Sequence, residues 1–326
     1  MSVGVVAIGR NEGSRLRACL MSVLCSASKV VYVDSGSTDG SVEFAQSMGV
    51  FVVPLDMSVP FTAARARNEG FAQLQMVAPE LRYVQFVDGD CEVVSGWIPA
   101  AQSFLDANPE VAAVCGRRRE RHPAASVYNA LCDQEWDTPS GQALACGGDV
   151  MMRADALRQA SGYRADLIAG EEPELCVRLR AAGWRIWRLP IEMTLHDAAM
   201  LHFTQWWKRT VRSGYAFAQG AHLHGNPPER HWVRESRRAW FWGLVLPVVL
   251  IALTALVPWL GCWVLFAWLI YPAQIVRLAL RGPGSGAARR ARAIFQVLGK
   301  FAEAMGQLRF VAHRLSGRQG RLIEYK

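Results

Sequence analysis

From Ser2 to Asp90, short apolar runs alternate with amphipathic stretches. "SVGVVAI" (Ser2–Ile8), "KVVYVDS" (Lys29–Ser35), "VFVVPL" (Val50–Leu55) and "YVQFVDGD" (Tyr83–Asp90) read as buried strands. Between them, "NEGSRLRACLMSVL" places Leu16, Leu20, Val23 and Leu24 on one helical face. "GSVEFAQSM" and "FTAARARNEGFAQLQ" read as a second and a third helix. Strands alternating with helices in this way predict a parallel sheet covered on both faces. Ligands of such sheets bind outside the carboxyl ends of the strands. Asp34 and Asp88 each fall at a strand end, so both should face one crevice.

Beyond Glu92 the pattern is mixed, with a strand at "EVAAVCGR" and a loop, short strand and helix over "CGGDVMMRADALRQA". "EEPELCVRLRAAG" predicts a helix ended by Gly183, followed by a strand at "WRIWRLP". "HFTQWWKRTVRSGYAFAQGAHLHG" is amphipathic and basic, and "GNPPER" (Gly225–Arg230) is the expected linker. "AWFWGLVLPVVLIALTALV" (Ala239–Val257) carries no charge, and "WLGCWVLFAWLIYPAQIV" (Trp259–Val276) follows after one proline. Each is long enough to cross a bilayer core of about 30 Å, with tryptophans near the ends. The pair predicts a transmembrane hairpin; the alternative is two buried core helices. "RGPGSGAARRARA" should be a flexible basic loop. "AIFQVLGKFAEAMGQLRFVAHRL" has the spacing of a helix lying on a membrane surface.

Charge sharpens this division. Pro228–Lys326 holds 15 Lys/Arg against 4 Asp/Glu, while the residues before it hold 21 against 24. A basic C-terminal third could meet nucleic acid or an anionic membrane; the apolar stretches choose the membrane, and no nucleic-acid partner is expected. Arg234–Arg238 precede the apolar pair and Arg277, Arg281, Arg289, Arg290 and Arg292 follow it, so both flanks should be cytoplasmic. No basic segment leads into an apolar one at the N-terminus, so no signal peptide is expected. None of the eight cysteines forms a CxxC pair, which leaves zinc and redox motifs unsupported.

Four short motifs carry candidate chemistry. In "YVQFVDGDCE" only Gly89 separates Asp88 from Asp90. Like charges this close repel unless a cation joins them; the pair either holds Mg²⁺ or Mn²⁺ together with phosphate oxygens or forms a solvated acidic turn. "VDSGSTDGS" can hold a nucleotide base or ribose through Asp34 and can be an ordinary strand-to-helix turn with Asp39 as N-cap, different residues serving each. Glu171 and Glu172 open a helix, where negative charge is favoured; one of them could accept a proton from a hydroxyl. His196 in "MTLHDAAM" could join a metal site or be structural.

The order of these motifs resembles that of family 2 glycosyltransferases with the GT-A nucleotide-sugar fold, over about Val3 to Gly220. The resemblance implies an α/β, Rossmann-like domain with a mixed, mostly parallel sheet. It implies that Asn11 and Glu12 of "AIGRNEG" lie near the nucleotide, that Asp34 contacts uracil or ribose, and that Arg67 and Asn68 of "ARARNEG" flank the nucleotide. Asp88, Asp90 and His196 match the metal set. Gly147, Gly148 and Asp149 match the acceptor-side loop, and Glu171–Glu172 the family's Gly-Glu-Asp segment with Glu172 as base. The chain departs from the family at Gly9 and Arg10, where a proline and an aromatic are usual, at Ser35 in place of a second aspartate, and at Glu172, one methylene longer than aspartate. "QWWKR" (Gln205–Arg209) is a near miss to the QxxRW motif of processive synthases, and one hairpin is too few for a channel, so single-sugar transfer is expected.

The expected organisation is a glycosyltransferase domain over 1–224, a basic linker over 225–238, a membrane hairpin over 239–280 and a basic amphipathic tail over 281–326. The expected reaction is inverting transfer from a UDP-sugar, with Mg²⁺ or Mn²⁺, to a hydroxyl of a lipid-linked glycan at the cytoplasmic membrane. Two rivals stand beside it: transfer to polyprenyl phosphate on the same fold, and a non-catalytic membrane scaffold.

Overall fold

In the computed structural model, residues 2–256 and 266–317 are described. The chain forms two compact units, Met1–Leu201 and His202–Lys326. The first begins with β1 (Val3–Gly9), α1 (Ser14–Leu24), β2 (Lys29–Asp34), α2 (Ser41–Ser47), β3 (Phe51–Pro54), α3 (Ala63–Val77) and β4 (Tyr83–Asp88). It continues with β5 (Cys91–Val93), α4 (Trp97–Ala107), β6 (Val111–Glu120), α5 (Val127–Glu135), β7 (Gly141–Ala143), β8 (Val150–Arg153), α6 (Ala154–Gln159), α7 (Glu171–Ala181) and β9 (Arg185–His196).

The strands form one sheet in the order β3-β2-β1-β4-β8-β6-β9-β5, with β7 on β9. β1 to β4 pair in parallel, β8 runs antiparallel between β4 and β6, and β9 lies parallel to β6. The strands thus run mostly one way, as the sequence predicts. β1 and β4 are apolar almost throughout because both faces of a central parallel strand are covered. Leu16, Leu20 and Val23 of α1 are buried on the expected face. The chain reverses its lateral course at β1, between β2 and β4. Register places Gly9 opposite Asp34 and Ile8 opposite Asp88, so the carboxyl ends of three strands share one edge. That edge is where open α/β sheets take ligands.

Several sequence expectations are corrected. Within the basic linker expected over 225–238, a helix, α9 (Val233–Trp240), begins after the GNPPER segment. α8 (Phe203–His224) clusters with the C-terminal helices and not with residues 1–201. α10 (Leu246–Leu256) continues α9 through a wider turn at Phe241–Val245, and Val233–Leu256 is one helical run long and apolar enough to cross a membrane. Only 17% of its most apolar window is buried, unlike a core helix. The second half of the expected hairpin lies partly outside the described residues. Its described part enters α11 (Ile270–Arg281), with Arg277 and Arg281 beyond the apolar stretch, and among the described residues one helical run is of spanning length. The expected loop at 281–293 is helical from Gly286, because Ser285 caps an alanine-rich start to α12 (Gly286–Leu315). α8 and α12 approach at backbone distance: a Cβ on Gly214 would strike the Glu303 backbone, and one on Gly306 the Val211 carbonyl.

α3 bears on the site most directly. Thr62 caps it by accepting from the Arg65 N–H at 3.1 Å. Gly70, one turn after Arg67, presses α3 onto β1 and β2: a Cβ there would strike Val6 and lie 2.8 Å from Val33 Cγ2. Gly70→Ala is therefore expected to destabilise the fold by about 1–3 kcal/mol. Urea denaturation checks this; an unchanged midpoint would show that α3 has room to move off the sheet.

Candidate active site

The carboxyl edge is knitted from short polar segments. Asp34 ends β2 with both carboxylate oxygens engaged: Oδ1 accepts from Tyr32 Oη at 2.9 Å, and Oδ2 accepts from Gly36 N at 3.0 Å and Ser37 N at 2.9 Å. This folds the GSTDG turn back over its own strand. Asn11 adopts φ 54°. It accepts from Thr38 N through Oδ1 at 2.7 Å, while its own N–H donates to Ser37 Oγ at 2.9 Å. Asp39 accepts from Gly13 N at 2.8 Å and from Ser41 N at 3.1 Å, so it ties two loops together, and Gly40 takes the helix N-cap position. Glu12 lies against Gly9 and Gly89 and pairs with Arg15 at 2.7 Å.

Arg67 is the centre of the site. Its side chain is 3% exposed, and it donates to Asp88 Oδ1 at 2.8 Å and Glu171 Oε1 at 2.9 Å and pairs with Glu172 Oε1 at 3.0 Å. One guanidinium thus joins α3, the end of β4 and the start of α7. Burial works against its charge, and the carboxylates of Glu172, Asp88 and Glu171 overcome that and hold it protonated. Gly148 lies flat on this cluster. A Cβ there would lie 3.0 Å from Asp88 Oδ2 and 3.1 Å from Glu172 Oε1 and would collide with Arg67. Burial and the neighbouring Glu171 raise the Glu172 carboxyl to about 7, against the lowering effect of Arg67. Gly170, at φ 80°, opens α7, and Gly183, at φ 90°, follows its end as expected.

A second arginine, Arg118 on β6, meets Asp88 from the other side. Its Nη2 is 3.0 Å from Asp88 Oδ2 and from Cys91 Sγ, its Nε is 3.1 Å from Asp149 Oδ2, and its guanidinium lies over the Trp136 ring. Burial alone would raise the Asp88 carboxyl; the two guanidiniums instead hold it well below the usual carboxylate range. Asp149, 1% exposed, accepts from Asp88 N at 3.1 Å and Thr194 Oγ1 at 2.7 Å. Its carboxylate braces β4 against β9 from within. His196 ends β9 with Nε2 3.4 Å from Asp90 Oδ2 and Nδ1 3.7 Å from Glu120 Oε2. Burial, aided by Arg118, lowers its basicity. Asp90, Cys91 and His196 form a group of buried donors close enough to share a metal ion, and Asp88, Cys91 and Asp149 form another.

The fold therefore brings together Asp88, Asp90, Gly148, Asp149, Glu171, Glu172, Arg67 and His196, while Asp34, Asn11 and Glu12 line the same edge along β1 and β2. Asn68 is placed differently. Its amide donates to Tyr163 O at 2.7 Å and accepts from Tyr163 N at 2.8 Å, so it braces the 161–163 loop. Arg118, Glu120, Thr194 and Trp136 were missed by the sequence reading. Their one signal is parity: Arg118 and Glu120 stand opposite Thr194 and His196 in parallel register.

Removing Arg67 leaves three carboxylates facing one another without a cation. Arg67→Gln is expected to cost about 3–5 kcal/mol of stability, the loss typical of breaking a buried ion pair from one side. Equilibrium unfolding in urea measures it. A loss below about 1 kcal/mol, the value of an exposed pair, would mean that the cluster is hydrated and loosely held.

Residues 4–139 match the model described as glycosyl transferase family 2. Among curated proteins, the pre-mycofactocin glycosyltransferase of Mycobacterium tuberculosis is 27% identical over 241 residues, which is 70% of this chain and 48% of that protein. The chain spans about half the length of the curated relatives it matches. Among solved structures, the mannosyltransferase PcManGT from Pyrobaculum calidifontis, in complex with GDP-Man and Mn²⁺, superposes with a TM-score of 0.62 at 18% identity, covering 94% of this chain and 87% of that one. S. aureus TarS superposes with a TM-score of 0.51 at 14% identity, covering 94% of this chain and 55% of that one. Residues 4–139 therefore match a glycosyltransferase family 2 domain, and the chain has an α/β, GT-A-like fold.

Proposed function

We propose that the chain transfers one sugar from a nucleotide-diphosphate donor to a hydroxyl of a membrane lipid-linked glycan, with inversion at the anomeric carbon. The observation that carries this reading is the sharing of Arg67 between Asp88, at the metal motif, and Glu172, a carboxyl raised to about 7. A carboxylate poised near neutrality suits a general base. Glu172 takes the proton of the acceptor hydroxyl as that oxygen attacks the anomeric carbon and the bond to the diphosphate breaks. Gly148, with no side chain, lets the acceptor-side loop lie directly against the cluster. Asp34, Asn11 and Glu12 line the nucleotide side of the edge, and Arg67 and Asn68 position the neighbouring loops.

The donors of Asp90 and His196 converge, which fits a divalent ion, Mg²⁺ or Mn²⁺. Asp88 stands beside them. It accepts two guanidinium bonds, and a carboxylate has about four acceptor sites, so it retains capacity for an ion. When bound, the ion neutralises charge on the leaving diphosphate. A UDP-sugar is the expected donor. A GDP-sugar is the second, because PcManGT, a solved neighbour, was captured with GDP-Man.

The apolar run Val233–Leu256 supports an acceptor and a location at the membrane, with the catalytic unit cytoplasmic. The full chain should stay in the membrane fraction through a high-salt wash and leave it only in detergent. Release by salt alone would replace the spanning helix with peripheral attachment through the basic residues.

Glu172→Gln keeps the shape and removes the base. Turnover should fall by about 10²–10⁴-fold while donor binding holds. Transfer at nearly the original rate would favour polyprenyl phosphate as acceptor, since an ionised phosphate needs no base, whereas collapse of donor binding would make Glu172 a binding residue.

The wild-type pH profile adds an independent check. The charged form is the base, and burial and Glu171 place its titration near 7. The kcat/KM for transfer should therefore climb as pH rises to about 7 and level off above it. A profile already flat at pH 5 would contradict the assignment.

A further inference from the structure

The loop that precedes β8 runs beside α7 and touches it at three successive points. Arg180 Nη1 donates to Leu144 O, the Cys146 and Cys176 sulfurs lie 3.5 Å apart, and a Cβ on Gly148 would lie 3.1 Å from Glu172 Oε1. The contacts recur every two residues on the loop and every four on the helix. Two residues of extended chain advance at most about 7 Å and four helical residues about 6 Å, so the two segments keep step while running in opposite directions. The sulfur pair is the middle contact, between the Arg180 tie and Glu172.

Neither cysteine takes part in the transfer chemistry. Both are buried, while Leu144 and Gly147, close by in the same loop, are exposed. The Cys146 thiol donates to the Cys176 sulfur. This hydrogen bond holds the Cys176 thiol below its ordinary value, against burial and with help from the Arg180 charge. Cys115 on β6 is a neighbouring third cysteine, but its thiol donates to Trp187 O at 3.7 Å. Cys146 and Cys176 stand 30 residues apart in the chain, so no CxxC spacing announces them. In a reducing compartment such a pair is joined transiently, in response to an oxidant.

We propose that Cys146 and Cys176 are a redox modification site, joined as a disulfide by a peroxide-class oxidant, and that the bond restrains the acceptor-side loop against α7 and slows transfer. The effect on transfer rests on the function proposed above; the site is read from the sulfur pair itself. First, one thiol and hydrogen peroxide give a sulfenic acid and water. The other thiol then attacks the sulfenic sulfur, the S–S bond forms and a second water leaves. The two sulfurs are oxidised and the peroxide is reduced. A disulfide is about 2.0 Å long, so the sulfurs close by roughly 1.5 Å, about one helical turn from Glu172. A displacement of about 1 Å at a reacting group can cost about 100-fold in rate.

The test treats the purified full-length protein with hydrogen peroxide and maps it without reduction. After trypsin, the 165–178 peptide should be joined through Cys176 to Cys146 of the 122–153 peptide, with fragment ions separating Cys146 from Cys132. Dithiothreitol should release the link. Transfer by the oxidised protein should fall at least about 10-fold with donor binding held, and should recover on reduction. Cys146→Ser and Cys176→Ala should each lose both the link and the reversible fall. The mapping of wild type requires no variant. Cys176 left unlinked while other thiols oxidise, or linked to Cys115 or Cys132, would overturn the site. A complete Cys146–Cys176 link that leaves transfer unchanged would overturn the restraint. Transfer without any link removes the site and leaves the proposed function standing. A link in a protein that transfers no sugar even when reduced upholds the site and removes the transfer reading.

Discussion

A single buried guanidinium holds the site together. Arg67 comes from α3, and its three partners come from the end of β4 and the start of α7. A buried charge persists only where partners compensate its lost hydration, so the cation and its carboxylates fix one another and the elements that bear them. The same arrangement sets two carboxyls apart. Asp88, between Arg67 and Arg118, stays ionised, while Glu172, beside Glu171 and with one share of Arg67, is raised to about 7. Paired carboxyls whose environments separate them in this way can divide charge-holding and proton-accepting roles.

The second half of the sheet supplies what the first lacks. β1, β2 and β4 present their carboxyl ends along one edge in parallel register, and the inserted antiparallel β8 brings Asp149 to the end of β4. β6 and β9 add Arg118, Glu120, Thr194 and His196 on one face. Asp149 ties these halves together through Asp88 N, Thr194 Oγ1 and Arg118 Nε. Its full burial makes it a brace for the positions of Asp88 and His196.

The alternation of strand and helix from Val3 to Asp88 was legible because each segment is locally amphipathic or uniformly apolar, and local periodicity survives in sequence. The strand-end aspartates followed from that alternation. Arg118 and Glu120 did not. They stand in "GRRRERH", a charge run that looks like a solvated face, and only a partner strand seventy-odd residues later gives their inward parity meaning. Asn68 shows another limit of local reading: its amide serves the backbone of Tyr163, a partner no local motif announces. In the C-terminal unit, apolar length was readable, but helix ends and packing were not. The backbone approach of α8 to α12 depends on glycines whose contacts lie ninety residues apart in sequence.

The ionisation of Glu172, raised to about 7 by burial and by Glu171 against the lowering effect of Arg67, is open to direct titration. Carbon-13 labelling of the glutamate side-chain carboxyls, with Glu172 assigned by its absence from Glu172→Gln, reports its ionisation in the free protein. A midpoint near 7 is the predicted result. A midpoint at about 4.3, the value of an unperturbed glutamate, would contradict it.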